Sequence, residues 1–325
     1  MDTTITEQAR LFRALHNAQH PLALSNVWDV ASAAITAATG APAIATTSAG
    51  IAWSLGLQDG DQLDRARVAC VVAGIAAAVT VPVTADIEGG YAHSPEGVAR
   101  TVAALLEEGA VGINIEDGDR SPETLVTRIT AARHAADEVG MPLFINARTD
   151  VFLTGVGTLE QQVAEALTRA SRYVDAGADG VFVPGVMDAD SISALTARIP
   201  VPVNLMVGPG SLSVDELGRL GVARVSLGSG VAQAAYAVAR RAAEELAATG
   251  TYDTLTDALD YGSLNGLLRR VVPVMQGGTA TGRRSGAEDD RPVHIRPQAR
   301  SMACDRGADH GRSILPALRE RNGRG

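Results

Sequence analysis

The sequence predicts an α/β fold, a (β/α)8 barrel of the TIM type with extra N- and C-terminal helices. A short apolar strand, a polar loop and a segment with helical spacing follow one another eight times, and strands that alternate with helices pair in parallel through right-handed crossovers. Polar side chains follow the carboxyl ends of these strands, where TIM barrels carry their chemistry. An open doubly wound sheet is the alternative, but no G-x-G-x-x-G motif follows the first strand.

The predicted elements begin with a helix over residues 6–19. Eight apolar strands are predicted at residues 22–26, 43–47, 81–88, 112–117, 143–149, 180–184, 201–207 and 224–228. Segments with helical spacing follow them at residues 30–39, 61–79, 95–108, 122–139, 158–176, 188–198, 214–219 and 231–249, and a closing helix spans 254–268. Glycines before several strands, such as Gly109 and Gly177, suit the left-handed C-cap of the preceding helix.

The chain divides into a catalytic barrel domain, residues 1–275, and a tail, residues 276–325. The tail is rich in Gly and Arg, has no helical or strand period and contains no aromatic residue. Its apolar content is too low to offset the entropy of ordering the backbone, so we expect a disordered tail that the barrel does not need.

The composition excludes several classes of function. A net charge of -9 argues against general nucleic-acid binding. The longest apolar run is interrupted by Gly74 and Pro82 and is too short to span a bilayer, so no membrane contact is expected. The polar N-terminus carries acids where a secretory signal carries bases, which favours a cytoplasmic protein. Cys70 and Cys304 lie far apart and predict neither a disulfide nor a thiolate metal site.

Lysine does not occur, so all 28 basic residues are arginine. Schiff-base aldolases, pyridoxal-phosphate enzymes and P-loop nucleotidases each need a lysine amine at the centre of their chemistry. A barrel enzyme of this composition that acts on carbonyl acids therefore has to stabilise a carbanion with a metal ion.

The stretch V-P-V-T-A-D-I-E-G-G-Y at residues 81–91 predicts that ion's site. Strand side chains repeat every two residues, so Asp86 and Glu88 share one face at the end of an apolar strand. Oxygen ligands without cysteine or paired histidine favour Mg²⁺ or Mn²⁺ over Zn²⁺, and Mg²⁺ keeps several of its waters. The alternative is a solvated strand end before a Gly-Gly turn.

Other strand ends supply further candidates. Glu116 lies at the end of the fourth strand, and Arg148 lies at the end of the fifth, where its planar fork suits a substrate carboxylate. Arg148 has the alternative role of a buried ion-pair partner for Glu116. Asn204, which follows V-P-V in the seventh strand, could donate to a carboxylate. His93, after Gly-Gly-Tyr, is an acid–base candidate with surface exposure as its alternative.

An ordered set of motifs resembles the isocitrate lyase and phosphoenolpyruvate mutase superfamily, in its methylisocitrate-lyase-like branch, over residues 11–268. These motifs are T-T-S-A-G at 46–50, L-G-L-Q-D-G at 55–60, T-A-D-I-E-G-G-Y at 84–91, G-I-N-I-E-D at 112–117, I-N-A-R-T-D at 145–150 and V-P-V-N at 201–204. The resemblance implies that Asp86 binds Mg²⁺ directly, that Asp59, Glu88 and Glu116 hold its waters, and that Thr47, Ser48, Arg148 and Asn204 bind the substrate. Asp59, Glu116, Arg148 and His93 are the expected catalytic residues.

The resemblance also implies a reaction. Family members split or rearrange 2-oxo and 2-hydroxy acids through a metal-stabilised enolate, which predicts a Mg²⁺-dependent carbon–carbon lyase with a small carboxylate substrate, like methylisocitrate lyase or oxaloacetate decarboxylase. They form tetramers that exchange the final helix, so a homo-oligomer, either a dimer or a tetramer, is expected here.

One motif of the family's lyases is missing, namely the K-K-C-G-H-type loop after strand four whose cysteine donates a proton. This chain runs E-D-G-D-R-S-P-E-T-L from Glu116. The proton then has to come from solvent or from a residue such as His93. Two alternatives stay open: a phosphonomutase-type isomerase acting on phosphoenolpyruvate or carboxyphosphonoenolpyruvate, and an inactive barrel that serves as a binding module.

Overall fold

The structure, a computed structural model, describes residues 3–269. The predicted tail and its boundary with the barrel domain lie outside the described residues. Within them, nine strands occur: β1 Leu22–Leu24, β2 Asn26–Val27, β3 Ile44–Thr46, β4 Val83–Asp86, β5 Ala110–Glu116, β6 Phe144–Arg148, β7 Gly180–Phe182, β8 Val203–Met206 and β9 Arg224–Ser226.

The nine strands form one parallel sheet that closes through the first predicted strand. The sheet order is β1-β9-β8-β7-β6-β5-β4-β3-β2. Strands β1 and β2 are two halves of the same stretch, interrupted at Ser25; β1 pairs with β9 at Leu22 and Arg224, whereas β2 pairs with β3 at Asn26 and Ala45. Barrel strands tilt and stagger, so successive parts of one strand can face different neighbours. The predicted TIM-type α/β barrel is confirmed.

The helices enclose the sheet. They are α1 Thr3–Ala14, α2 Val30–Ala38, α3 Ser48–Ser54, α4 Arg65–Ala78, α5 Pro95–Glu107, α6 Pro122–Glu138, α7 Val151–Thr154, α8 Leu159–Asp175, α9 Ala189–Thr196, α10 Val214–Arg219, α11 Gly230–Thr249 and α12 Tyr261–Arg269, with a 3-10 turn at Asp253–Leu255. Proline at the first position, after Ser94 and Ser121 as N-caps, starts α5 and α6 as the sequence predicts.

Three predicted helices differ from the structure. The opening helix, predicted over 6–19, spans Thr3–Ala14. The helix predicted from residue 61 begins at Arg65, after the N-cap Asp64. Gly60 and Asp61 have positive φ values of 110° and 56°, which a continuous helix cannot accommodate. The closing helix predicted over 254–268 is a 3-10 turn followed by α12. Helices α3 and α7 were not predicted, because their seven and four residues are too few to show a period.

The N-terminal helix closes the lower end of the barrel. Phe12 of α1 is fully buried and makes edge-to-face contacts with His16 and Phe144, at centroid distances of 4.8 and 5.6 Å. A Cβ atom at Gly112 would lie 2.7 Å from the Phe12 ring, so the strand needs glycine there. The candidate polar side chains lie at the opposite, carboxyl ends of the strands. Within residues 3–269, none of the helices has the length and apolarity needed to cross a membrane.

Candidate active site at the carboxyl ends of the strands

Polar side chains from three adjacent strands meet at the open end of the barrel. Asp86 ends β4, Glu116 ends β5 and Arg148 ends β6, and the parallel register places Glu116 directly beside Arg148. The strand predicted over 81–88 ends at Asp86, and Glu88 lies two residues beyond it with a φ of 49°, so the prediction that both acids share one strand face is wrong and a loop positions Glu88. Asp59 reaches the same rim from the loop between α3 and α4. The structure therefore brings together the acids and the arginine that the sequence singled out.

Asp86 is oriented by the start of α3. Its Oδ2 accepts hydrogen bonds from the backbone N and the hydroxyl of Ser48, at 3.2 and 2.9 Å, and its own backbone N donates to the Thr46 hydroxyl at 2.8 Å. The neighbouring Thr47 is the N-cap of α3 and accepts from the Gly50 N–H. Thr47 and Ser48 were both predicted to lie along the substrate. In the structure Ser48 contacts the Asp86 carboxylate, whereas the Thr47 hydroxyl accepts a hydrogen bond within α3.

Glu88 is a buried carboxylate with one oxygen satisfied. Its Oε2 accepts from the backbone N of Gly60 at 3.0 Å and from the backbone N of Asp61, while Oε1 has no hydrogen-bond partner. Burial, followed by the charges of Asp59 and Asp86, raises the pKa of Glu88 to about 7. A carboxylate in this position favours a proton or a cation over remaining charged alone.

Glu116 and Arg148 form an ion pair that is close but poorly aligned. Arg148 Nη1 lies 2.5 Å from Glu116 Oε2, yet this oxygen has no hydrogen bond of acceptable geometry. Burial is the main cause of the raised pKa of Glu116, about 8, and Asp86 adds to it while Arg148 opposes it. Burial would lower the pKa of Arg148, but Glu116 and Asp150 hold it above its ordinary value, so the guanidinium stays charged.

Asp150 occupies the bidentate edge of Arg148. Its oxygens accept from Arg148 Nε at 2.6 Å and from Nη2 at 2.9 Å. The backbone N of Asp150 donates in turn to Asp117, whose other oxygen accepts from the Tyr173 hydroxyl at 2.7 Å. Only the Nη1 side of Arg148, beside Glu116, therefore faces away from Asp150, and binding of a substrate carboxylate there stays a prediction.

The remaining predicted residues lie at different depths. Asp59 is an exposed residue of the rim, and the partial burial of its carboxyl and the nearby charge of Asp86 raise its pKa, against the effect of Arg148. His93 is exposed in the loop before α5. Asn204 is 1% exposed inside the barrel, where its amide accepts from Asn146 and donates to the Leu205 carbonyl. The side-chain amide of Asn204, which the sequence suggested as a donor to a substrate carboxylate, is therefore hydrogen-bonded within the barrel.

Sequence reasoning did not single out four residues that the structure adds to this site. They are Asp61, Tyr91, Arg120 and Arg224. Tyr91 places a buried hydroxyl beside the Glu88 carboxyl, and burial and the Glu88 charge raise its pKa, so it stays protonated. The G-G-Y motif was the available signal for Tyr91. No sequence pattern indicated Asp61 or Arg120, because loop residues lack the hydrophobic period from which helices and strands are predicted.

Arg224 is fully buried inside the barrel beneath this site. Its Nη2 donates to Asn114 at 3.2 Å, while Nε and Nη1 have no partner. Burial lowers its pKa to about 9, and Asp86 opposes that shift. The guanidinium therefore contributes positive charge below a rim that carries an excess of negative charge.

The donor set fits a divalent cation held largely through water. Within the described part of the chain, no group of three His, Cys, Asp or Glu side chains lies close enough to hold an ion by itself. The candidate ligand oxygens are carboxylates, Glu88 Oε1 is buried without a hydrogen bond, Glu116 Oε2 faces only the poorly aligned guanidinium of Arg148, and the acids raise one another's pKa. One direct carboxylate with others acting through water matches the preference of Mg²⁺.

Comparison with known proteins supplies independent information. A family model described as phosphoenolpyruvate phosphomutase matches residues 12–247. An uncharacterized protein of Mycobacterium tuberculosis is 41% identical over 222 residues, which cover 67% of this chain and 81% of that protein. 2-Methylisocitrate lyase of Escherichia coli is 28% identical over 206 residues, which cover 60% of this chain and 68% of the enzyme.

Two further proteins are similar to this chain, one in sequence and one in structure. Oxaloacetate decarboxylase of Pseudomonas entomophila is 35% identical over 156 residues, which cover 44% of this chain and 50% of the enzyme. The crystal structure of 2,3-dimethylmalate lyase superposes with a TM-score of 0.69 at 26% identity, covering 83% of this chain and 95% of that chain.

Proposed function

The chain belongs to the phosphoenolpyruvate phosphomutase family, an enzyme family of lyases and mutases, and on that premise we propose that it is a Mg²⁺-dependent carbon–carbon lyase. The proposed substrate is a small 2-oxo or 2-hydroxy acid with one or two carboxylates. The observation that carries the proposal is the convergence of Asp59, Asp86, Glu88 and Glu116 around Arg148 at the barrel mouth. Mn²⁺ is the alternative ion.

Asp86 is the proposed direct ligand, with Asp59, Glu88 and Glu116 holding the ion's waters. When bound, the ion supplies Lewis-acid stabilisation of the negative charge that develops on a substrate oxygen as the bond breaks. Ser48 orients Asp86, and Arg148 holds Glu116 and offers its Nη1 side to an anionic group. The candidate proton carriers are His93, which is exposed in the loop before α5, and Tyr91, which is better placed because its hydroxyl lies buried beside Glu88.

The relatives' names support the proposed substrate class. 2-Methylisocitrate lyase and 2,3-dimethylmalate lyase are lyases by name, and oxaloacetate decarboxylase is named for decarboxylation. The alternative, a phosphonomutase-type isomerase, is favoured by the name of the matching family. Purified protein with Mg²⁺ should be assayed against oxaloacetate, methylisocitrate, dimethylmalate and phosphonopyruvate. Turnover of phosphonopyruvate alone would overturn the lyase proposal in favour of the isomerase, and Mg²⁺ binding without any turnover would favour a binding module.

Binding of the ion should change how the stability of the protein depends on pH. The pKa values of Glu88 and Glu116, about 7 and about 8, lie above the ordinary value of 4.5, so the folded metal-free chain binds more protons than the unfolded chain in this window. Its stability should therefore fall as the pH rises through the window and level off above about 8.

A cation that binds the ionised, folded form opposes this loss, so Mg²⁺ should raise the unfolding temperature more near the upper end of the window than near pH 4.5. Thermal unfolding with and without Mg²⁺, at constant ionic strength set by NaCl, measures the difference. An equal shift at both ends of the window would contradict a cation site built on these carboxyls.

We infer in addition that the protein self-associates through the face of α11. This helix has 20 residues, of which only Ala232 is buried, and it leaves Tyr236 and Leu246 exposed by 42% and 62%. The helix that follows the last barrel strand is thus largely unburied and carries exposed apolar side chains, which supports a second copy of this chain as the partner.

Leu246→Glu should disrupt this assembly, because a charge on the contact face costs desolvation without a partner. The control is Val139→Glu at the end of α6, a residue of comparable exposure, 47%, outside α11. Analytical ultracentrifugation should show a smaller mass for the first variant and an unchanged mass for the second. Helix α12 contacts α2 of its own chain, so the predicted exchange of the final helix stays a prediction.

A further inference from the structure

Three loops at the barrel mouth are tied together by side chains that bind neither substrate nor metal in the proposed function. We propose that Asp61 and Arg120 are a positioning pair that holds the Glu88 carboxylate in place for a cation. The inference rests on the proposed function for its purpose, but the contacts that carry it are those of the chain itself.

Glu88 depends on the loop of residues 59–61 for its hydrogen bonds. The two donors to its Oε2 are the backbone N–H groups of Gly60 and Asp61. Asp61 and Glu88 are non-glycine residues with φ values of 56° and 49°, a left-handed conformation that persists only where the surroundings hold it. If this loop moves, Glu88 loses both donors at once.

The Asp61 side chain in turn accepts a hydrogen bond from the loop that carries Glu88. Its Oδ1 accepts from the backbone N of Gly89 at 3.2 Å. Each loop therefore supplies a carboxylate to the other's backbone: Glu88 to Gly60 and Asp61, and Asp61 to Gly89. This reciprocal arrangement fixes the separation of the loops that carry the two candidate metal residues Asp59 and Glu88.

Arg120 completes the tie from a third loop. Its Nη2 is bonded to Asp61 Oδ2, and the pair is about three-quarters buried, with side-chain exposures of 26% and 24%. A Cβ atom at Gly89 would lie 2.5 Å from the guanidinium carbon, so Arg120 packs directly on that glycine. Its backbone N donates to the Asp117 carbonyl at 2.8 Å, and the Asp117 side chain is held by Tyr173.

The direction in which one substitution changes cation affinity distinguishes a positioning role from a purely electrostatic one. Arg120 carries a positive charge near a group of acids, so by electrostatics alone Arg120→Gln should strengthen the binding of a divalent cation. If Arg120 positions Glu88 through Asp61, the same substitution should weaken binding. Loss of an outer-shell partner of a metal ligand typically costs about 10–100-fold in affinity or activity.

The experiment compares Arg120→Gln, Arg120→Lys, Asp61→Asn and the double variant Asp61→Asn/Arg120→Gln in the full-length protein. Calorimetry with Mn²⁺ should show affinity about 10–100-fold weaker for Arg120→Gln and for Asp61→Asn, and partial recovery for Arg120→Lys, which keeps the charge without the fork. The double variant should be no weaker than the weaker single variant, because both substitutions break one contact.

A matched control exists at the opposite end of the barrel. Arg133 pairs with Asp179 at similar burial, with side-chain exposures of 20% and 15%. Arg133→Gln should lower the unfolding temperature and leave Mn²⁺ affinity unchanged. A loss of Mn²⁺ affinity in this control equal to that of Arg120→Gln would assign the effect to general destabilisation and overturn the proposal.

Amide hydrogen exchange of the metal-free protein tests the pair without metal or turnover. The backbone N–H groups of Gly60 and Asp61 should exchange faster in Arg120→Gln than in the wild type and stay protected in Arg133→Gln. Unchanged protection, or Mn²⁺ affinity equal to or tighter than wild type in Arg120→Gln, would overturn the positioning role. A wild type that binds no divalent ion would instead contradict the proposed function, with the exchange result still deciding whether the pair holds Glu88.

Discussion

Asp86→Ala should abolish divalent-cation binding and reduce turnover on the order of a thousandfold or more, since a bound metal contributes several kcal/mol of charge stabilisation. Asp86 is the carboxylate that Ser48 orients through two hydrogen bonds, and its charge raises the pKa of Asp59 and Glu88. The loss should occur without unfolding, because removing one of several mutually repelling acids relieves the metal-free chain of part of that repulsion.

Calorimetric titration with Mg²⁺, kinetics and thermal unfolding on the same preparation measure these three effects. Asp188→Ala is the matched control: this residue caps α9 by accepting from the Ser191 N–H at 2.8 Å, at the carboxyl side of β7 but outside the acid group. It should cost about 1 kcal/mol of stability and leave Mg²⁺ affinity unchanged. Unchanged Mg²⁺ affinity in Asp86→Ala would refute the metal site proposed here.

Arg148→Lys should reduce kcat/KM by roughly two to three orders of magnitude while the fold persists. The lysine ammonium keeps the charge, but it cannot reproduce the fork that binds Asp150 at 2.6 and 2.9 Å and still reach Glu116. Loss of a bidentate, charge-assisted contact changes geometry as well as energy, and a displacement near 1 Å at a reacting centre can cost about a hundredfold.

The control for this variant is Arg172→Lys. Arg172 pairs with Glu123 at 2.6 Å on the protein surface, with side-chain exposures of 39% and 63%. Exposed pairs contribute about 0–1 kcal/mol, so stability and kinetics should both stay near wild type. Steady-state kinetics with the substrate found in the assay decides the outcome, and normal kcat/KM in Arg148→Lys would remove this residue from the reaction.

Much of the fold could be predicted because it depends on local pattern. Alternating apolar strands and helical segments have periods that are readable in the chain, and Ser-Pro pairs such as Ser94-Pro95 mark helix starts. The strand ends at Asp86, Glu116 and Arg148 could be read in the same way, because parallel strands bring their carboxyl ends to one rim. The short helix α3 and the loop at Asp61 lack such a period and were missed.

By itself, the sequence determined the barrel, the end of the barrel that carries the acids, and the absence of lysine chemistry. Only the tertiary structure decided which partners those side chains have. Asp150 binds the guanidinium of Arg148, and Asn204 is hydrogen-bonded to Asn146 inside the barrel. Arg120 pairs with Asp61, which is 59 residues away in the sequence. The physical reason is that period and residue type are local properties of the chain, whereas the paths of the loops follow from packing. Hydrogen bonds between loops depend on those paths to within a fraction of an ångström.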